Sequence, residues 1–315
     1  MPDAIDDSCR RVLIIAYLFP PIGGGGVQRA LKMAKYLVQF GWEVHVLTVE
    51  PAYHVSLDPT LLNGLPSSVF IHRTKELSPG KLANVSSSSI TGDKPNLSIT
   101  GRIKKLLRSA VKGVKPYILI PDDQILWFPA ALRKGLRIMS EYKMDMIFST
   151  SAPYTNHLVG LYLKRKTNKP WIADFRDPWT QNMHRTSIRW REWLEDRLER
   201  MVLRESDVCL TVTPSFAANF KQKFSAEIKR VEVIHNGFDP EDYEIGEGLS
   251  GTRELGREGR LPSREVCTFI YTGIFYKERN PRLFLKAIKQ LMNEGTLLPD
   301  RIRIRFAGVF DYPGY

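Results

Sequence analysis

Cysteine is almost missing from this sequence. Cys9, Cys209 and Cys267 are the only three in 315 residues, too few and too scattered for a disulfide framework or a C-x-x-C metal site. Their scarcity implies a reducing compartment, and a cytoplasmic protein is expected. Long apolar runs are missing too: none reaches the roughly 20 residues that span a bilayer. The apolar stretch near the start is short, follows Asp3, Asp6 and Asp7 where a basic region would be needed, and runs into Pro20-Pro21, which argues against a signal peptide. Negative charge is in deficit. Lys and Arg number 46 against 34 Asp and Glu, and the resulting net charge of +12 calls for an acidic partner. Nucleic acid is not expected as that partner, because no binding motif is present and the basic residues are not interleaved with stacking aromatics. What is left is ordinary globular composition, 43% apolar and 25% charged, in a chain longer than one core usually serves. A soluble enzyme of two domains fits.

Glycine is what the sequence concentrates. Gly23, Gly24, Gly25 and Gly26 lie between the apolar run Val12-Leu13-Ile14-Ile15-Ala16 and a segment with Val27, Ala30, Leu31, Ala34, Leu37 and Val38 at helical spacing. The run is apolar at every position, as expected of a parallel strand covered on both faces. Gly41 supplies the helix stop, and Val44, Val46, Leu47 and Val49 read as the next strand. A strand, a loop without Cβ atoms and a helix N-terminus, in that order, aim unpaired backbone N–H groups at an anion or a sugar. Neither familiar phosphate fingerprint is present: no Gly-Lys-Ser/Thr follows, and a G-x-G-x-x-G frame begun at Gly23 meets Gln28 where glycine is required. Glu50, closing the second strand, leaves a dinucleotide-binding reading open.

Further short apolar runs suit parallel strands at Val69 to His72, Met146 to Ser149, Trp171 to Asp174, Val208 to Val212 and Val231 to Ile234. With the first two they make an α/β, doubly wound parallel Rossmann-like sheet complete before about residue 236. A helix over Ser187 to Glu205 is expected to turn Trp190, Leu194, Leu198, Met201 and Val202 inward and to leave the Arg191/Glu195 and Asp196/Arg200 pairs solvated. Leu82 to Thr100 reads as a loop. On a helix, Lys104, Lys105, Arg108, Lys112 and Lys115 fall in one arc of roughly 100°, beside an apolar arc. Two readings of segment 102–115 stand: docking on an anionic membrane surface, or packing on its own domain.

Ligands collect at the carboxyl ends of such strands, and three clusters fall there. In Trp171-Ile172-Ala173-Asp174-Phe175-Arg176-Asp177-Pro178-Trp179 a strand delivers two carboxylates and a guanidinium flanked by indoles, a set suited to sugar hydroxyls and the apolar face of a pyranose. The same residues could simply pair with one another and cap a turn. In Ser149-Thr150-Ser151-Ala152-Pro153, Ser151 precedes a helix whose first turn carries His157, where the helix N-terminus would keep imidazole neutral as a base requires. A structural histidine is the alternative. In His235-Asn236-Gly237-Phe238-Asp239, Gly237 reads as hinge geometry and Asn236 as a ligand-binding residue.

Together, a strand ending in Phe-Pro-Pro, then Gly-Gly-Gly-Gly-Val-Gln-Arg, Trp-Ile-Ala-Asp-Phe-Arg-Asp-Pro-Trp and Ile-His-Asn-Gly-Phe-Asp resemble the acceptor-side domain of a family 4 type glycosyltransferase of the GT-B fold. The resemblance covers most of residues 10 to 240. It implies transfer of a sugar from a nucleotide-diphosphate sugar to a glycan or lipid-linked acceptor, with retention of configuration, no cofactor and no metal, in a cleft between two Rossmann-like domains. Carried onto this chain, it implies that Gly23 to Gly26 approach the donor phosphates and acceptor, and that Asp174, Arg176 and Asp177 line the acceptor side. Asp174, Asp177 and His157 become the catalytic candidates. Relatives often carry a histidine where this strand ends in Ser149-Thr150-Ser151, so that role is vacant here or passes to His157.

The implied organisation is an acceptor-side domain over 1–240, a linker over 241–264 rich in glycine and charge, and the start of a donor-side domain over 265–315. In that last part Cys267 to Gly273 reads as a strand and glycine turn, Pro281 to Asn293 as a helix and Ile302 to Phe306 as a second strand. A single βαβ unit cannot bury both faces of its sheet, so this chain alone is expected to be incomplete for donor binding. The family's basic pair near the first glycine turn matches Lys277 and Arg279 only loosely, with Ile274 where an arginine is expected. Two other classes remain open: a nucleotide-dependent oxidoreductase or epimerase, and a non-catalytic sugar- or membrane-binding module.

Overall fold

The structure, a computed structural model, describes residues 9–51, 57–76, 117, 119–182, 188–243, 266–273, 275 and 280–308. The chain divides into two compact units, Met1–Asp239 and Pro240–Tyr315. Segment 102–115, the loop proposed over Leu82 to Thr100, most of the linker, and Ile274, Lys277 and Arg279 lie outside the described residues.

The first unit is built from β1 (Arg11–Ile15), α1 (Gly25–Gln39), β2 (Glu43–Val49), β3 (Val69–Thr74), α2 (Phe128–Glu141), β4 (Met146–Ser151), α3 (Thr155–Thr167), β5 (Trp171–Phe175), α4 (Arg189–Glu205), β6 (Val208–Thr211), α5 (Pro214–Lys223) and β7 (Val231–Val233). All seven strands pair in parallel in the order β3-β2-β1-β4-β5-β6-β7. The order reverses between β1 and β4, and that is where such a sheet opens a crevice at its carboxyl edge.

The all-apolar β1 explains the layering. Leu13 and Ile15 join a core with residues of α2, α3, α4 and α5, whereas Val12, Ile14 and Ala16 pack with Ala30, Leu31 and Ala34 of α1. Alternate residues of one strand thus feed cores on opposite faces, as the period of two requires. All five residues of β1 are buried.

In α4 the phase differs from the sequence expectation. Arg191, Glu195 and Glu199 are buried beside Val202 and Leu203, whereas Trp190 is 47% exposed. Arg191 Nε donates to Glu195 Oε1 at 2.6 Å and its Nη2 to the Pro121 carbonyl at 2.9 Å, so a salt-bridged pair expected in solvent is an interior one. Asp196 and Arg200 do pair at 2.7 Å on the partly exposed side.

The second unit holds β8 (Cys267–Thr272), α6 (Arg282–Asn293) and β9 (Ile302–Ala307), with β8 and β9 parallel. Ile270 and Leu283 are largely exposed, and α6 has no buried residue. Among the described residues, no helix is long and apolar enough to cross a membrane.

Candidate functional site

The glycine loop sits at the carboxyl end of β1, beside the switch point. Gly24 takes φ +100°, a conformation an L-residue with a side chain resists, and stands where a helix cap would be, with no side chain to satisfy the first N–H groups of α1. A Cβ added at Gly24 or Gly25 would meet no atom within 4 Å, so both face open space. Gly26 is enclosed: its Cβ would fall 3.0 Å from Leu18 Cδ1 and 3.8 Å from Arg176 Nη2. The first turn of α1 carries no acidic residue, which leaves the positive end of the helix dipole uncompensated within its own helix.

One guanidinium group bonds to this loop, and a second leaves α1 one turn beyond it. Arg176, just past β5, donates from Nη1 to the Gly26 carbonyl at 2.6 Å and from Nη2 to the Ala152 carbonyl at 3.4 Å, tying the glycine loop to the turn after β4. Arg29, one turn into α1, donates from Nε to both oxygens of Asp174 at 3.1 and 2.9 Å and from Nη2 to Oδ1 at 2.8 Å. Its Nη1 donates to the Ile234 carbonyl at 3.0 Å and to Asn236 Oδ1 at 3.2 Å. Lys32 and Lys35, further along α1, both donate to Asp239 Oδ2 at 2.7 and 2.6 Å. One face of α1 therefore holds both the end of β5 and the segment 234–239.

The carboxylates named from sequence divide sharply. Asp174 is fully buried, and its three bonds from Arg29 plus one from Thr150 Oγ1 at 2.7 Å fill the roughly four acceptor sites of a carboxylate. Asp177 has a side chain 53% exposed and lies 3.5 Å from Arg176 Nε. Ser151 is buried and donates to the Asp174 carbonyl at 3.4 Å. Asn236 is exposed.

His157 is fully buried under the ring of Phe175, 4.3 Å away between centroids. Trp171 Nε1 donates to Ser149 Oγ at 2.9 Å, so the Ser149 hydroxyl is left to donate to His157 Nδ1 at 2.8 Å. That assigns the ring proton to Nε2, which is buried and has no hydrogen-bond partner among the described residues. Burial lowers the imidazole pKa to about 3, keeping the ring neutral, in the direction that a helix N-terminus also favours.

Several supports are invisible in the sequence because they join distant segments. Buried Asn156 accepts from the Tyr17 backbone N–H at 3.2 Å and donates to the Thr150 carbonyl at 2.7 Å, spanning the switch point between β1 and β4. Asp122 caps α3, accepting from the Thr155 N–H at 3.0 Å and its hydroxyl at 2.6 Å. Beyond Asp177, Trp179 stacks on Tyr154 at 4.9 Å, and Glu199 accepts from the Thr180 N–H at 3.2 Å and from its hydroxyl. Burial raises the Glu199 pKa to about 7. Arg29 is the residue beside the loop that reading by clusters misses, although it sits in the glycine-rich motif itself; its partner is 145 residues away. Among the described residues no group of three or more His, Cys, Asp or Glu is placed to hold a metal ion. Glu50 at the end of β2 lies within electrostatic reach of Arg73.

The arrangement presents, on one edge, open backbone N–H groups at a helix start, two arginines, and one exposed carboxylate. Such a set holds an anion and accepts bonds from hydroxyls. Residues 94–242 match the model of a family described as Glycosyltransferase Family 4. No curated protein sequence matches the chain significantly. Among solved structures, a sucrose-phosphate synthase from Thermosynechococcus elongatus is similar at 12% identity and a TM-score of 0.51, over 96% of this chain and 71% of that one. The N-terminal domain of Candida albicans trehalose-6-phosphate phosphatase is similar at 15% identity and a TM-score of 0.57, over 97% of this chain and 65% of that one. At these identities the likeness speaks for the fold alone, a GT-B type Rossmann-like arrangement.

Proposed function

From the match of residues 94–242 to the Glycosyltransferase Family 4 model, we propose that the chain transfers a sugar, with retention, from a nucleotide-diphosphate sugar to a glycan or lipid-linked acceptor. The observation that carries the site assignment is the bond from Arg176 Nη1 to the Gly26 carbonyl at 2.6 Å, beside the open positions Gly24 and Gly25 and with Arg29 one turn further along α1. In this reading the open N–H groups at Gly24 and Gly25 receive the donor diphosphate, and the arginines offset charge that develops on the leaving phosphate. Asp177 accepts a hydroxyl bond from the sugar or acceptor. Asp174 acts through Arg29, whose orientation it fixes, and His157 with Ser149 and Ser151 shapes the end of β4 and β5 beneath them. Asn236 contributes through the same guanidinium. Lys277 and Arg279 remain proposed donor-binding residues from the family pattern.

No cofactor enters this scheme, since the nucleotide sugar is substrate and arginines take the charge that a divalent ion would otherwise neutralise. Low cysteine content and a net charge of +12 support action in the cytoplasm at the inner face of a membrane, with segment 102–115 as one anionic-lipid contact. The test is calorimetric titration of the purified protein with a panel of nucleoside-diphosphate sugars, followed by product analysis with lipid-linked acceptors. Weak binding of one donor class, lowered at least about tenfold further in Arg176→Gln, and, where turnover is measurable, a product keeping the donor's anomeric configuration are expected. Equal binding by wild type and Arg176→Gln would place the donor away from the glycine loop.

A further inference from the structure

We propose that the outward face of α4 is a docking surface for an anionic membrane. Its charges are turned inward at Arg191, Glu195 and Glu199, and its indoles are turned outward, which inverts the usual order of an amphipathic helix. On a helix advancing about 100° per residue, Arg189, Trp190, Trp193, Arg197, Arg200 and Arg204 fall within a single arc of roughly 100°. No other residue type occupies that arc. Trp190 is 47% exposed, Trp193 60% and the neighbouring Tyr117 52%, and Tyr117 stacks on Trp190 with centroids 6.3 Å apart. The Arg197 guanidinium lies over the Trp193 ring at 4.8 Å, so cation and indole form one amphipathic unit.

Tryptophan and tyrosine settle at the headgroup level of a bilayer, where one end of the ring is apolar and the other wet, and arginine adds attraction to anionic lipid. Two of the arginines are partly engaged: Arg200 pairs with Asp196 and Glu227, and Arg204 stands 3.9 Å from Glu227. Arg189 and Arg197 at the Trp end therefore carry most of the attraction. That end is also the useful one. Because β5 and β6 are parallel, α4 begins at the carboxyl edge of the sheet, the same edge as the glycine loop. A protein seated on this face would hold its site beside the lipid surface, whichever substrate it uses.

The experiment is co-sedimentation of the full chain with vesicles of phosphatidylcholine alone and of phosphatidylcholine with phosphatidylglycerol. Three variants are compared: Trp190→Ala with Trp193→Ala, Arg189→Glu with Arg197→Glu, and Lys104→Glu with Arg108→Glu and Lys112→Glu. Wild type is expected to partition to the anionic vesicles, with less on neutral ones and less in high salt. The indole pair should reduce partitioning at least about tenfold. The arginine reversals should reduce it at least about 25-fold, at roughly fivefold per basic residue. Circular dichroism and unchanged thermal unfolding check that these surface changes leave the fold intact. Undiminished sedimentation of both α4 variants, or loss only in the 102–115 variant, overturns the proposal. So does equal binding to neutral vesicles. Light scattering that shows a dimer dissociated by the indole changes would assign the face to a second copy of the chain instead. None of these outcomes depends on glycosyl transfer, so this surface and the proposed reaction fail separately.

Discussion

Replacing Asp174 with asparagine changes one oxygen for one NH2 group and leaves the volume alone, yet it should be among the most destabilising single changes in the first unit. The side chain is fully buried, and Arg29, its partner, has only 7% of its own side chain exposed. Asparagine accepts through one oxygen, so at least one of the three bonds from Arg29 is lost, and the NH2 group points donors at a guanidinium that has only donors to offer. Breaking one side of a buried ion pair costs roughly 3–5 kcal/mol, because the remaining charge stays desolvated. Urea unfolding of wild type and Asp174→Asn should show a loss of about 3 kcal/mol or more. Asp177→Asn, at an exposed position and 3.5 Å from its arginine, should lie within about 0.5 kcal/mol of wild type while lowering turnover. The two aspartates, three residues apart, would thus separate into one of stability and one of activity. An Asp174→Asn protein as stable as wild type would refute the reasoning, and so would a double change with Arg29→Met whose cost equals the sum of the single costs, since a coupled pair cannot be additive.

The buried acid and base make opposed contributions to stability with pH. His157, at about 3 folded against 6.5 unfolded, stabilises least at low pH: about 1.4 kcal/mol is lost for each pH unit below 6.5. Glu199, at about 7 folded against 4.5 unfolded, does the reverse, and its contribution falls by a similar amount per unit as pH rises from 4.5 to 7. Unfolding free energies between pH 5 and 6.5 should therefore slope more steeply upward with pH in Glu199→Gln than in wild type, and less steeply in His157→Gln; parallel curves would show that neither group titrates as its burial requires. Gly24→Ala should cost about 1–2 kcal/mol through its φ of +100° alone, as no atom opposes the methyl group, and equal thermal stability of the two proteins would mean the loop relaxes away from that conformation. A chelator should leave turnover unchanged, and restoration of a lost rate by added divalent metal would count against the arginine-based scheme.

The sheet was legible because parallel strands buried on both faces have almost no alternation to confuse the reading. Val12 to Ala16 and Val44 to Val49 announce themselves by composition, and the glycine loop between them marks the edge where ligands collect. The phase of α4 was not legible. Arg191 and Glu195 stand four apart with the geometry of a solvent pair, and Trp190 reads as an apolar residue; the Pro121 carbonyl that gives the arginine a reason to go inside is 70 residues away. The site was legible as clusters but not as a network. Asp174 and Arg176 could be picked out as polar residues at a strand end, but nothing local says that one is saturated by Arg29 while the other reaches the Gly26 backbone.

The anchoring of residues 234–239 on α1 has a consequence for where the first unit ends. The Ile234 N–H makes a last backbone bond, to the Thr211 carbonyl at 2.9 Å, and from there the hold passes to side chains: Arg29 grips the Ile234 carbonyl and Asn236, and Lys32 and Lys35 close on an Asp239 that is 3% exposed. A hydrogen-bonded ladder tolerates almost any side chain, whereas this mooring depends on particular ones, each on the helix that begins at the glycine loop. The boundary is thus written in side-chain chemistry, and a sequence comparison that looked only for a strand would draw it six residues too early. It also means that the loop and residues 234–239 are tied to the same helix, so a ligand that shifts the start of α1 would draw on the same three basic residues that secure the exit.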